Sequence, residues 1–146
     1  MKRLLMVTLA LVAGCSAGPE PIRWGTDACD VCRMVLTDKL FGAELVEEGG
    51  QVRKFDGLDE LVTYTSQSGK KGKVYVTNGK DGALVPIEQA VIVRSPGLIS
   101  PMGGDVTTFA SKADADAYIQ AQKLDNVSWP ALADLKPNGG HSHAGH

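Results

Sequence analysis

Apolar and polar residues alternate along "AELVE" (43–47) and again along "QVRKF" (51–55), with Glu48-Gly49-Gly50 between them. That pattern predicts a strand, a tight turn and a returning strand. The period then changes. Leu58, Leu61, Val62 and Thr65 follow i, i+3, i+4 spacing, so a helix is expected after Asp56, with Asp56 as its cap. Gly69 and "KKGK" end it, and "KVYVTN" (73–78) reads as another strand. The order then recurs. "AVIVRS" (90–95) is a strand, "SPGLISPMGGD" a long loop, and "VTTFA" (106–110) a strand. Ser111 and Asp114 fit a capping pattern for a helix with Ala113, Ala117, Tyr118 and Ala121 on one face. Residues 127–132 are placed as a last strand, although Pro130 weakens it. The expected fold is α+β: two related ββαβ units packed together, over 26–80 and 81–134.

The ends of the chain do not fit this pattern. Lys2 and Arg3 precede an apolar run from Leu4 to Val12, and Ala13-Gly14 lead to Cys15. This is the physics of a secretory signal over 1–14, and the run is shorter than the ~20 residues that span a bilayer. "LVAGC" is similar to the lipobox of bacterial lipoproteins, which makes Cys15 the expected lipidation site and 15–25 a flexible tether. Ser16 in the next position resembles outer-membrane sorting, so the expected location is the periplasm, lipid-anchored. The last residues, 135–146, read as a loose tail.

Cleavage changes the arithmetic. Losing Lys2 and Arg3 moves the formal charge from −2 to −4, and no Lys/Arg cluster points to a nucleic-acid partner. Met1 and Met6 also leave, so only Met34 and Met102 remain of four methionines. All three histidines, His141, His143 and His146, lie in the last six residues. The folded part therefore has no imidazole for His-rich zinc chemistry or a Ser–His or Cys–His hydrolase.

What remains is sulfur. "CDVCRM" holds Cys29, Cys32 and Met34, and a strand starting near Arg33 would put Cys32 and Met34 on one face. Thiolate and thioether donors select Cu(I) over harder divalent ions. Zinc in a closed site would want a fourth nitrogen or sulfur ligand, and a second CxxC is missing. Met102 sits in "SPMGGD", a constrained turn suited to a ligand that must meet another loop. Three bland alternatives stay open: methionines that fill core gaps, a CxxC that serves as a thiol–disulfide redox pair, or a CxxC that is a structural clip. The "HSHAGH" tail is either an accessory divalent-metal segment through His141, His143 and His146 or a solvated end.

With lipobox, tether, Cys-x-Met, "KFDGLDELVTY" and "PMGGDVTTFASKADADAYI" in hand, the chain resembles the NosL family of periplasmic copper lipoproteins. The resemblance implies a non-enzymatic copper chaperone that holds Cu(I) on a cysteine and methionines. It also implies partners: nitrous oxide reductase and its ABC-type maturation complex, for assembly of the copper–sulfide centre. Cys32 takes the place of the family's cysteine, Met34 follows two positions on, and Met102 matches the later methionine. Cys29 is extra, either a further sulfur ligand or a redox partner of Cys32. The segment after the Cys-x-Met, "VLTDKLFG", lacks the histidine often found there. A periplasmic redox protein using Cys29 and Cys32, or a chaperone for another cuproenzyme, is the alternative.

Overall fold

The computed structural model describes residues 18–137; Cys15, the signal segment and the histidines of the tail lie outside them. Strands β1 (Ala43–Glu47) and β2 (Val52–Phe55) form the expected hairpin, in register Ala43 with Phe55 to Val46 with Val52. Helix α1 (Leu58–Ser68) follows and ends at Gly69, whose left-handed φ of 68° suits glycine. β3 (Gly72–Thr77) then returns antiparallel to the other side of β1. A short edge strand, β4 (Leu84–Pro86), completes a sheet of order β2-β1-β3-β4. Its Pro86 donates no hydrogen bond, which an edge position tolerates.

The second half holds β5 (Val91–Arg94) and β6 (Val106–Phe109), a two-stranded antiparallel sheet, and helix α2 (Lys112–Gln122). Ser111 caps α2 as expected, accepting a hydrogen bond from the Asp114 amide. Two helices are interspersed among strands that pair only antiparallel, so the α+β expectation holds.

Four expectations are corrected. No strand forms over 127–132; a single bridge pairs Arg94 with Ser128, because Asn126 sits at φ 49° and Pro130 lacks an amide donor. The buried side of α2 is Ala115, with Tyr118 and Ile119 packing beside it, while Ala113, Ala117 and Ala121 face solvent. The stretch placed in a tether joins the fold from Glu20 onward. Ile22 enters the core, and the Glu20 amide donates to Glu44 Oε1 at 2.8 Å. Finally, α1 is capped by Gly57, with no side-chain hydrogen bond, and not by Asp56. Asp59 and Glu60 in the first turn supply the negative charge the helix dipole favours there.

β1 is buried at all five positions, polar ones included, because strands flank it on both sides. The two halves join through threonines. Thr108 Oγ1 donates to the Thr77 carbonyl at 2.7 Å, and the Gly79 amide to the Thr108 carbonyl at 2.8 Å. One apolar cluster gathers Phe55, Leu58, Leu61 and Val76 with Val106; a second gathers Phe41, Val93, Leu98 and Phe109 under α2.

Candidate metal centre

The "CDVCRM" segment folds as a tight loop rather than a strand. Ala28 and Val35 form an isolated bridge, and the Cys29 amide donates to the Met34 carbonyl at 2.8 Å. The Arg33 amide returns to the Cys29 carbonyl at 3.0 Å, with Arg33 in the left-handed region at φ 66°. Cys32 is therefore in the turn, and the shared strand face expected for Cys32 and Met34 does not form. Asp30 pins the turn to β2. It accepts from the Lys54 amide at 2.9 Å and from the Arg53 guanidinium at 3.2 Å, while its own amide donates to the Lys54 carbonyl at 2.8 Å.

This anchoring turns both cysteines toward the end of β2. Cys29, Cys32 and Asp56 form one cluster, their ligand atoms all within 4.8 Å of one another. Cys29 is 0% exposed, and its sulfur accepts from the amides of Cys32, Asp56 and Val31. Burial nevertheless pushes the Cys29 thiol up, outweighing those amides. The Cys32 thiol donates to Asp56 Oδ2 at 3.2 Å. Burial, offset in part by the Met34 amide, and then hydrogen bonds with Asp56 and Cys29 push it up to about 12. Both sulfurs are thus thiols at neutral pH, and no disulfide joins them. Asp56 Oδ1 is buried with no hydrogen-bond partner, the kind of orphan that a metal ion satisfies.

The two methionines lie on separate loops. Met34 follows Cys32 out of the turn and is 49% exposed. Met102 is half-buried at the tip of a turn closed by Ser100 amide to Gly104 carbonyl (2.8 Å) and Gly103 amide to Ser100 carbonyl (2.8 Å), with Gly103 at φ +81°. That turn rests on α1: Ser100 donates to Asp59 Oδ2 at 3.4 Å, and a Cβ at Gly104 would collide with the Asp59 carboxylate. The start of α1 is therefore where the two sulfur-bearing loops converge, Asp56 touching the cysteine loop and Asp59 the Met102 turn. Sequence reasoning missed Asp56 as a site residue. Its place between the Phe-ending strand and Gly57 was the available signal, since glycine was free to take the cap.

Among curated proteins no sequence matches this one. A crystal structure of the copper chaperone NosL from Shewanella denitrificans is similar in fold, with TM-score 0.66 at 19% identity, covering 82% of this chain and 96% of that one. The sequence model of the NosL family matches residues 24–129, a span that includes Cys29, Cys32, Met34, Asp56 and Met102. By that match the chain belongs to the NosL family.

Proposed function

We propose that this protein is a copper chaperone, a carrier of Cu(I) rather than an enzyme. The observation that carries the reading is the Cys29–Cys32–Asp56 cluster, with Met34 in the same loop and the Met102 turn seated on the first turn of α1 through Asp59. Thiolates and thioethers are soft donors that favour Cu(I). The neighbouring fold belongs to a protein named a copper chaperone, which agrees with this cargo. In our reading Cys32 and Cys29 bind the ion, Met34 and Met102 complete the shell, and Cys15 carries the lipid that holds the protein on the periplasmic side of the outer membrane. The client is nitrous oxide reductase, reached through its ABC-type maturation complex for the copper–sulfide centre. A dithiol–disulfide exchange role fits less well. Exchange needs an accessible thiolate, and both thiols are raised and at least partly buried.

Competition against a chromophoric Cu(I) chelator tests the reading. One ion per chain is expected, with Cys32→Ser abolishing tight binding and Met34→Leu or Met102→Leu each weakening it about tenfold or more. X-ray absorption on the loaded protein should show sulfur neighbours in excess of nitrogen or oxygen. Binding indifferent to Cys32→Ser would remove the chaperone reading.

A further inference from the structure

The segment that leads into the fold builds an apolar groove that the copper reading does not use. Pro19, Pro21, Ile22 and Trp24 line it on one side and Ala83 and Leu84 on the other, around a volume of about 290 Å³. Trp24 is held in place there. A Cβ at Gly42 would come within 2.6 Å of its Cη2 atom, so the ring packs directly on the chain entering β1. Pro19, Pro21 and Ala83 are exposed and Trp24 is half-buried, which leaves the groove an open apolar surface.

Its backbone asks little of water. Pro19 and Pro21 have no amide hydrogen. Between them the Glu20 amide is committed to Glu44 Oε1 at 2.8 Å, and the Pro21 carbonyl accepts from Lys54 Nζ at 3.2 Å. On the far side the Ala83 amide donates to Asp81 Oδ1 at 2.9 Å, and the Ala83 carbonyl accepts from the Asn78 amide at 2.8 Å. A surface whose polar groups are satisfied internally loses few hydrogen bonds when it leaves water.

Position selects the occupant. The groove begins at Pro19, four residues after Cys15, the lipid-bearing residue in our reading. Four residues span at most about 14 Å, so an anchored chain carries this groove at the headgroup layer. Tryptophan is enriched at that layer. Arg23, its side chain 72% exposed between Ile22 and Trp24, and Lys39, whose stem lies against Gly82 at the groove's edge, are placed to meet lipid phosphates. The neighbouring acids are engaged: Glu20 with Lys54 at 3.7 Å, Asp38 with the Leu40 amide and Asp81 with the Ala83 amide.

We propose that this groove is a membrane-docking surface that seats on the bilayer bearing the anchor, with Trp24 at the boundary between headgroups and acyl chains. Docking holds the protein in one orientation instead of letting it hang from a tether. The proposal rests on the lipid-anchor part of the reading above and not on the metal site. An acyl chain of the anchor itself is a poorer occupant, because a groove of this volume covers only part of a chain whose methylenes the bilayer already shields.

The chain has two tryptophans, which makes the test direct. Trp129→Phe leaves Trp24 as the single indole. The acylated protein, its lipid on Cys15 checked by intact mass, is placed in vesicles of phosphatidylcholine and phosphatidylglycerol. Part of the phosphatidylcholine is brominated, either near the ester end or near the methyl end of its acyl chains. Trp24 emission should be quenched, and more by the shallow bromines than by the deep ones. Ala83→Glu, a change at an exposed position, should remove the quenching and leave the melting temperature unchanged. Acylated, vesicle-bound protein whose Trp24 emission is indifferent to bromine would overturn the proposal. A blue shift relative to Cys15→Ser would then assign the groove to the anchor's own acyl chain, and no shift would leave it to water or a protein partner. Quenching that survives Ala83→Glu would overturn it as well. Failure of the anchor reading has a separate signature, a chain with no acyl mass on Cys15 that does not float with vesicles, and it takes the docking proposal with it.

Discussion

At the scale of single residues, the site is governed by what burial does to two thiols. Cys32 is raised to about 12 and Cys29 is raised as well, so each gives up a proton when a metal binds. The sign follows directly. Higher pH removes the competing protons, so on the proposed copper reading apparent Cu(I) affinity should rise with pH across the neutral range. Chelator competition at a series of pH values should give about two decades of affinity per pH unit if both thiols are ligands, and about one if Cys32 binds alone. Cys29 and Cys32 were visible in the sequence because CxxC is a short-range pattern. Asp56 was not, since its carboxylate meets Cys32 across a separation of 24 residues, and a helix-capping role was the local reading of the same letter.

At the scale of elements, the site depends on a loop held by a strand. Asp30→Ala removes the acceptor of the Lys54 amide and of the Arg53 guanidinium. Leaving those donors unmatched should cost about 1–3 kcal/mol in urea unfolding, and Cu(I) affinity should fall with it because the cysteine turn is no longer tied to β2. The pairing of β1 with β3 has its own sensitive point. A Cβ at Gly72 would run into the backbone of Val46, whereas one at Gly49 meets nothing within 4 Å. Thermal unfolding should therefore show Gly72→Ala strongly destabilised and Gly49→Ala nearly unchanged. Elements with a clean period were readable: β1, β2, α1, β3, β5 and β6 lie where alternation or helical spacing put them. The failures have physical causes. β4 is three residues long and ends in proline, too short for a period. In α2 the alanines occur on every side, so small apolar residues could not identify the face that packs, and Ala115 did so through tertiary contact with the second cluster.

At the scale of the molecule, the central strand carries a charge-bearing residue where none is expected. Glu44 is 0% exposed, Oε2 has no hydrogen-bond partner, and burial pushes its carboxyl from 4.5 up to about 7 against the lowering from the Glu20 amide and Lys54. Between pH 4.5 and 7 the folded chain keeps a proton that the unfolded chain has released, so this group's contribution to stability falls as pH rises through that window. Below it both states are protonated, and above it the penalty is complete. The difference in melting temperature between Glu44→Gln and the parent should change across that window and level off on either side. The cysteine pair also sits unevenly in the molecule: Cys29 is sealed in the core while Cys32, beside the exposed Met34, borders solvent. This asymmetry gives the pocket a front door and a back wall. On the proposed chaperone reading, a ligand from an acceptor would meet the ion from the Cys32 side and replace that bond first, leaving Cys29 as the last attachment to let go, so cargo transfer would acquire a fixed order of bond exchange.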